Sequence, residues 1–323
     1  MNVWRNKVIF ITGANGFLGS HLVKRSLSHG AKVIVLIKED ISFSLFKIEK
    51  IGNKSKIYKG DLLNNKLINS IFRDNRIDVC FHMGAQTIVG IANNSPVATF
   101  KSNIEGTWNM LEAARAFGVK AMVVASSDKA YGEHKKLPYK EEAPLIALHP
   151  YDASKTCADI LSRTYANIYR LPVVVTRCAN VYGPGDSNFS RIIPDTCHAL
   201  IKGKNPIIRS DGTPLRDYVF VNDVVDAYFL LAKSLLERKI NFGEAFNFGV
   251  DNPISVIKLV KMMLKISGNT VLSPKILGKG KLKGEIDKQY LSSAKAKRIL
   301  GWEPQHSLQE GLEITYNWYR DHL

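Results

Sequence analysis

The chain is short of cysteine and has no long apolar run. Its 323 residues hold four cysteines, Cys80, Cys157, Cys178 and Cys197. None forms a CxxC pair and no His/Cys cluster has zinc spacing, so neither a redox motif nor a metal site is expected. They read as reduced thiols filling apolar space. The longest apolar runs, such as "VIFI" and "VIVLI", have strand length, well below the roughly 18 residues of a membrane span. The opening "MNVWRNK" carries no signal-peptide pattern, and a cytoplasmic protein is expected. Internal repeats, low-complexity tracts and long linkers are missing too. Acid is the scarcer charge: 29 Asp and Glu stand against 45 Lys and Arg, a net charge of +16. The lysines are dispersed, apart from small clusters such as "KGKLKG" at 279–284. Without a basic stripe interleaved with aromatics, a nucleic-acid partner is not expected. A Lys-rich surface or an anionic substrate accounts for the charge.

What is present is alternation. Short apolar runs at 7–12, 32–37, 56–60, 78–83, 120–126 and 172–177 are separated by helical patterns. "FLGSHLVKRSLSHG" suits a helix closed by Gly30, and "NIEGTWNMLEAARAFGV" one that ends near Gly118. Strand–helix alternation with fully apolar strands predicts an α/β fold, a Rossmann-type doubly wound parallel sheet. After residue 178 the pattern loosens, and a smaller C-terminal substrate-binding lobe is expected. The predicted division is 1–178 with about 217–240 for the dinucleotide-binding domain, and 179–216 with about 241–323 for the lobe.

"ITGANGFLG" sets Gly13, Gly16 and Gly19 between the first strand and the first helix. Glycines there permit a tight turn and bring backbone N–H groups close to a pyrophosphate, at the positive end of the helix dipole. Asp61 follows the third strand, placed to accept from an adenine amino group or to cap the next helix. The second strand ends "VIVLIKED", with Lys38 where an NAD site usually has an acid, so NAD and NADP are both open.

Tyr151 and Lys155 stand four residues apart in "YDASKTCADILSRTYANIY", a strong helical pattern that puts both on one face. A nearby ammonium would stabilise the phenolate and let Tyr151 act as a base near neutral pH. "SSDKAYG" at 126–132 follows the fifth strand and sets an acid, Asp128, beside a base, Lys129. Such a pair can be a solvated loop salt bridge or a catalytic couple.

In this order, "TGANGFLG", "HMGAQ", "NIEGTWNMLEAAR", "SSDKAYG", "YDASK", "NVYGPG", "RDYVFVNDVVDA" and "LGWEP" cover nearly the whole chain. Together they resemble the extended short-chain dehydrogenases/reductases that act on nucleotide sugars. The resemblance implies tightly held NAD or NADP, a nucleotide-sugar substrate and a homodimer built on helices 104–117 and 151–168. It places Ser127 against the sugar hydroxyl on carbon 4, beside Tyr151, and Lys155 on the nicotinamide ribose. Asn180 and Arg216 match positions that contact the substrate diphosphate, where a planar guanidinium suits phosphate oxygens, although a salt bridge is open for Arg216. Gln86, Asn103 and Arg191 are further substrate-side candidates. The expected cofactor set is completed by Asn15, Phe17, Leu18, Leu62 and Ala85. Contacts to the base are expected in 187–216 and in "KGEIDKQY", 283–290.

The family's 4-epimerases need only the Tyr, the Lys, the Ser/Thr and a cofactor. Its 4,6-dehydratases add an acid and a base after the Ser/Thr, most often Asp–Glu. An Asp–Lys pair resembles the CDP-glucose 4,6-dehydratases, although "VLIKED" departs from that subfamily and Tyr131–Gly132 is similar to the family at large. The expectation is a dehydratase with Asp128 as acid and Lys129 as base, a 4-epimerase or decarboxylase being the alternative. The chemistry requires a protonated Asp128 and a neutral Lys129, the reverse of their usual states near pH 7.

Overall fold

A run such as "KVIVLI" has no polar–apolar alternation, so both of its faces must be covered. The computed structural model, which describes residues 2–279 and 286–323, satisfies this with a seven-stranded sheet. Its strands are β1 (Val8–Thr12), β2 (Lys32–Ile37), β3 (Lys56–Lys59), β4 (Val79–His82), β5 (Ala121–Ala125), β6 (Val173–Cys178) and a seventh, Ala245–Phe248. Their order is Ala245–Phe248, β6, β5, β4, β1, β2, β3, and every pairing is parallel. This is the Rossmann-type doubly wound sheet. Successive residues serve opposite faces: Ile9 and Ile11 join the core under the Phe17–Ser28 and Val221–Leu236 helices, and Phe10 joins the core under the Asn65–Asn75 and Gly106–Ala116 helices.

The boundary expected at about 241 is corrected by the seventh strand. Ala245–Phe248 closes the edge of the main sheet against β6 instead of lying in the lobe. A third apolar cluster, including Tyr182, Ile193, Cys197, Phe220, Leu259, Met263 and Tyr319, gathers much of the C-terminal section, while Leu291, Ala296 and Trp302 join the sheet's own core. Short strand pairs bring this part over the sheet: Asn180–Tyr182 with Tyr218–Phe220, and Leu215–Arg216 with both Ile254–Ser255 and Lys288–Gln289.

The helices stop where the sequence predicts. Gly30 and Gly118, at φ +73 and +68, turn the chain just beyond two of them. A π-helical stretch, Lys101–Glu105, precedes the Gly106–Ala116 helix; the apolar pattern carries no trace of it.

Under the sheet's C-terminal edge lies a charged core. Arg177 on β6 is fully buried and pairs bidentately with Asp159, at 2.7 and 2.9 Å. It also donates to the Tyr131 hydroxyl at 2.9 Å, and that hydroxyl donates to Asn247 at 2.8 Å. The network binds the turn after β5, the helix carrying Tyr151 and the seventh strand into one block. Arg177→Met leaves Asp159 without its main counter-charge in the interior and is expected to cost about 3–5 kcal/mol, read from the urea midpoint. Adding Asp159→Leu should recover part of that loss.

Candidate active site

The turn after β1 is built for close approach. Gly13 has φ +63, and a Cβ there would stand 2.9 Å from the Gly84 nitrogen. A Cβ on Gly19 would meet the Gly13 carbonyl oxygen at 2.1 Å. The turn lies between β1 and β4, where the strand order reverses, the usual place for a dinucleotide. A cleft of about 650 Å³ opens here, lined by Gly13, Asn15, Gly16, Phe17, Leu18, Lys38, Asp61, Leu62, Ala85, Tyr151 and Lys155 among others. The glycine cradle and the open helix N-terminus fit a dinucleotide pyrophosphate. Asn15 donates to the Glu39 carbonyl at 2.6 Å, so its side chain braces the end of β2.

Lys38 is paired with Asp61 at 3.1 Å. Burial pushes the Asp61 carboxyl up, but the Leu63 N–H and Lys38 outweigh this and hold it below the usual range. The helix that follows is capped by Asn64, which accepts from the Leu67 N–H; Asp61 accepts from Leu63 inside the preceding turn.

A second cleft of about 480 Å³ adjoins the first, lined by Ser127, Asp128, Lys129, Tyr151, Asn180, Arg191 and Arg216 among others. The two share Ser126, Tyr151 and Arg191. Tyr151 thus stands where they meet. Burial pushes its hydroxyl up to about 12; the Arg191 guanidinium opposes this and the Asp128 carboxylate adds to it.

Lys155 lines the dinucleotide cleft. Its ammonium donates to the Ala125 carbonyl at 2.9 Å, and burial lowers it to about 8. Helical spacing sets the face but not the direction of a four-carbon side chain, and here the ammonium turns to the carbonyl at the end of β5. The cation that lowers Tyr151 is Arg191, held by Asp186 at 3.0 Å.

The turn after β5 is a 3₁₀ helix, Asp128–Tyr131, capped by Ser127, whose hydroxyl accepts from the Lys129 N–H at 3.2 Å. That hydroxyl lies 3.1 Å from Asp128 Oδ1. Asp128 is 3 % exposed, and its buried Oδ2 has no hydrogen-bond partner among the described residues. Asp128 and Lys129 are therefore not a solvated ion pair: Lys129 Nζ donates to Gln289 at 3.1 Å. An unpartnered buried carboxylate oxygen is a place for a proton or a ligand hydroxyl.

Asp152, next to Tyr151, is a further buried acid. Burial raises it to about 6, Lys129 and His149 lower it, and Asp128 raises it further. Neither Asp152 nor Gln289 leaves a local signal in the sequence: Asp152 looks like any acid in a helix's first turn, and Gln289 meets Lys129 across 160 residues.

The remaining candidates divide. Asn180 donates to the Asp217 carbonyl at 3.1 Å, and Arg216 to the Leu215 and Asp287 carbonyls at 2.9 and 3.1 Å. Gln86 lies on the dinucleotide cleft, and its side chain accepts from the Ile88 N–H at 2.8 Å. Asn103 reaches neither cleft. It is 1 % exposed and spends its amide on Gln86 and on Ser154, which braces the loop against the Tyr151 helix. Of 283–290, residues 283–285 lie outside the described residues.

Two clefts that meet at one tyrosine, with a glycine cradle at the strand switch, are the arrangement of a short-chain dehydrogenase/reductase. Residues 10–315 match the family model described as GDP-mannose 4,6 dehydratase. The chain belongs to this family, the extended short-chain dehydrogenases/reductases that include nucleotide-sugar epimerases and dehydratases. It is 28% identical to the human dTDP-D-glucose 4,6-dehydratase, over 98% of this chain and 91% of that one. It is 32% identical to the UDP-glucose 4-epimerase of Thermotoga maritima, solved with UDP-glucose, with a TM-score of 0.87 over 97% of this chain and 99% of that one. The dTDP-glucose 4,6-dehydratase of Streptomyces venezuelae, solved with NAD, superposes with a TM-score of 0.87 at 26% identity, over 98% and 97%. Relatives at this level of identity carry both reactions.

Proposed function

We propose that this chain is a cytoplasmic, NAD(P)-dependent nucleotide-sugar 4,6-dehydratase, which converts a nucleoside-diphosphate hexose such as CDP-glucose to the 4-keto-6-deoxy sugar. One observation carries the choice: Asp128 and Lys129 line the substrate cleft directly beside Ser127 and Tyr151. The glycine turn and the residues of the first cleft would hold the dinucleotide, which would supply the redox chemistry, hydride acceptance at carbon 4 and hydride return at carbon 6. Tyr151 takes the proton of the carbon-4 hydroxyl, which Ser127 holds by a hydrogen bond. The new ketone acidifies carbon 5, and the Lys129 amine removes its proton. Asp128 protonates the carbon-6 hydroxyl, which leaves as water and creates a double bond between carbons 5 and 6. Lys129 then returns its proton to carbon 5, and the proton taken by Tyr151 replaces the one Asp128 gave. Arg191 and Arg216 hold the diphosphate, and Asn180 supports the strand beside it.

A panel of nucleotide hexoses tests this by product mass. The expected product is lighter than its substrate by one water, at an acidified carbon 5. A second reading, 4-epimerase, is favoured by the 32% identity to the Thermotoga maritima enzyme. Its product would keep the substrate's mass.

The pair of helices Gly106–Ala116 and Pro150–Tyr169 supports a homodimer. Trp108, Ile160 and Ile168 stand on them 43, 51 and 69% exposed, more apolar surface than a monomer's helix pair usually leaves open. Native mass spectrometry is expected to show a dimer with one dinucleotide per chain; a monomer would contradict it.

A further inference from the structure

Lys129, on the wall of the substrate cleft, is tied to Gln289. The side chain of Gln289, 1 % exposed, accepts from Lys129 Nζ at 3.1 Å and donates to the Asp128 carbonyl at 3.3 Å. This orientation of the amide is the one that satisfies both partners, because a lysine only donates here and a carbonyl only accepts. Gln289 belongs to the short strand Lys288–Gln289, which pairs in parallel with Leu215–Arg216, Gln289 opposite Arg216. The Arg216 guanidinium reaches the Asp287 carbonyl, just before that strand. One two-residue ladder therefore touches both the diphosphate-side arginine and the turn that carries the acid and the base.

We propose that Gln289 is the positioning residue of the elimination step: its amide holds the Lys129 amine and the Asp128 carbonyl in one geometry, set by the Arg216 strand. This rests on the dehydratase reading. A neutral amine has two N–H bonds and one lone pair. Donating one N–H to Gln289 restricts where the lone pair points, and the carbon-5 proton must lie there. A neutral amide suits this task. A carboxylate in its place would hold Lys129 as the ammonium, which cannot accept a proton. The charged group that faces Lys129 is Asp152 on the Pro150–Tyr169 helix, with His149 beside Asp152. Tyr139, Tyr151 and Asp217 face the neighbouring Asp128.

Gln289→Leu keeps the volume and removes both bonds. It is expected to lower kcat for elimination about 10²-fold, with KM and carbon-4 oxidation, read as reduced nicotinamide, unchanged. Gln289→Glu keeps the shape and adds a charge. By stabilising the Lys129 ammonium it should move the rising limb of the rate–pH profile up by about one unit or more. A purely structural role would not move that limb. Bound dinucleotide and circular dichroism control for folding, and if Gln289→Leu fails to fold, the Gln289→Glu profile decides. Elimination at the wild-type rate in the Leu variant, or a Glu profile superimposed on wild type, would overturn the proposal. A wild-type protein that never eliminates water would instead sink the dehydratase reading itself.

Discussion

Lys129→Ala is expected to lower formation of the 4-keto-6-deoxy product by about 10²–10⁴-fold, the span that general base catalysis supplies. Carbon-4 oxidation should survive, because Tyr151 and Ser127 do not depend on that amine. The variant would then accumulate reduced nicotinamide with a trapped 4-keto hexose, a state the intact enzyme passes through quickly. Single-turnover absorbance reads the reduction and mass spectrometry the missing elimination. Run in deuterated water, the wild-type product should carry one solvent deuteron at carbon 5, and the variant should lose it. If Lys129 only anchored the loop to Gln289, both half-reactions would fall together.

Tyr151→Phe should act earlier and remove carbon-4 oxidation by about 10²–10⁴-fold, with neither reduced nicotinamide nor product formed. Its pH dependence carries more information than its size. Burial pushes Tyr151 up to about 12 and Arg191 is the cation that opposes this. A raised phenol is neutral below that value, so its deprotonated form grows as pH rises. Removing the guanidinium in Arg191→Met raises the phenol further, and the rising limb of oxidation at saturating substrate should shift to higher pH. A limb that stays in place would leave Lys155 as the cation that matters, after a movement away from the Ala125 carbonyl.

How much of this was legible depends on how local the cause is. Five of the six strands up to residue 178 are contiguous apolar runs, and such runs can only be buried on both faces; β3, "KIYK" at the sheet's edge, is largely exposed and is placed by its pairing with β2. The glycine turn was legible for the same reason, since a tight turn leaves its trace in adjacent residues. Ala245–Phe248 was not. "AFNF" has no β-branched residue, and its Asn247 is buried because Tyr131 and Tyr139, over a hundred residues earlier, satisfy its amide. Asn103 looked like a site residue and proved to be a brace, because a buried amide's partners come from the fold. Spacing put Tyr151 and Lys155 on one face but could not aim the Lys155 ammonium. Asp128 and Lys129 were visible as an acid and a base; that Asp128 is buried and Lys129 is tied to Gln289 needed the strand at 288–289.

The central claim is that the hydride taken from carbon 4 is delivered to carbon 6. A nucleotide hexose deuterated at carbon 4, chosen from the panel as the substrate that turns over, tests it directly. The account predicts a product lighter by one water with the deuterium in its carbon-6 methyl group. Deuterium still on carbon 4, in a product of unchanged mass, would contradict it and make the chain an epimerase.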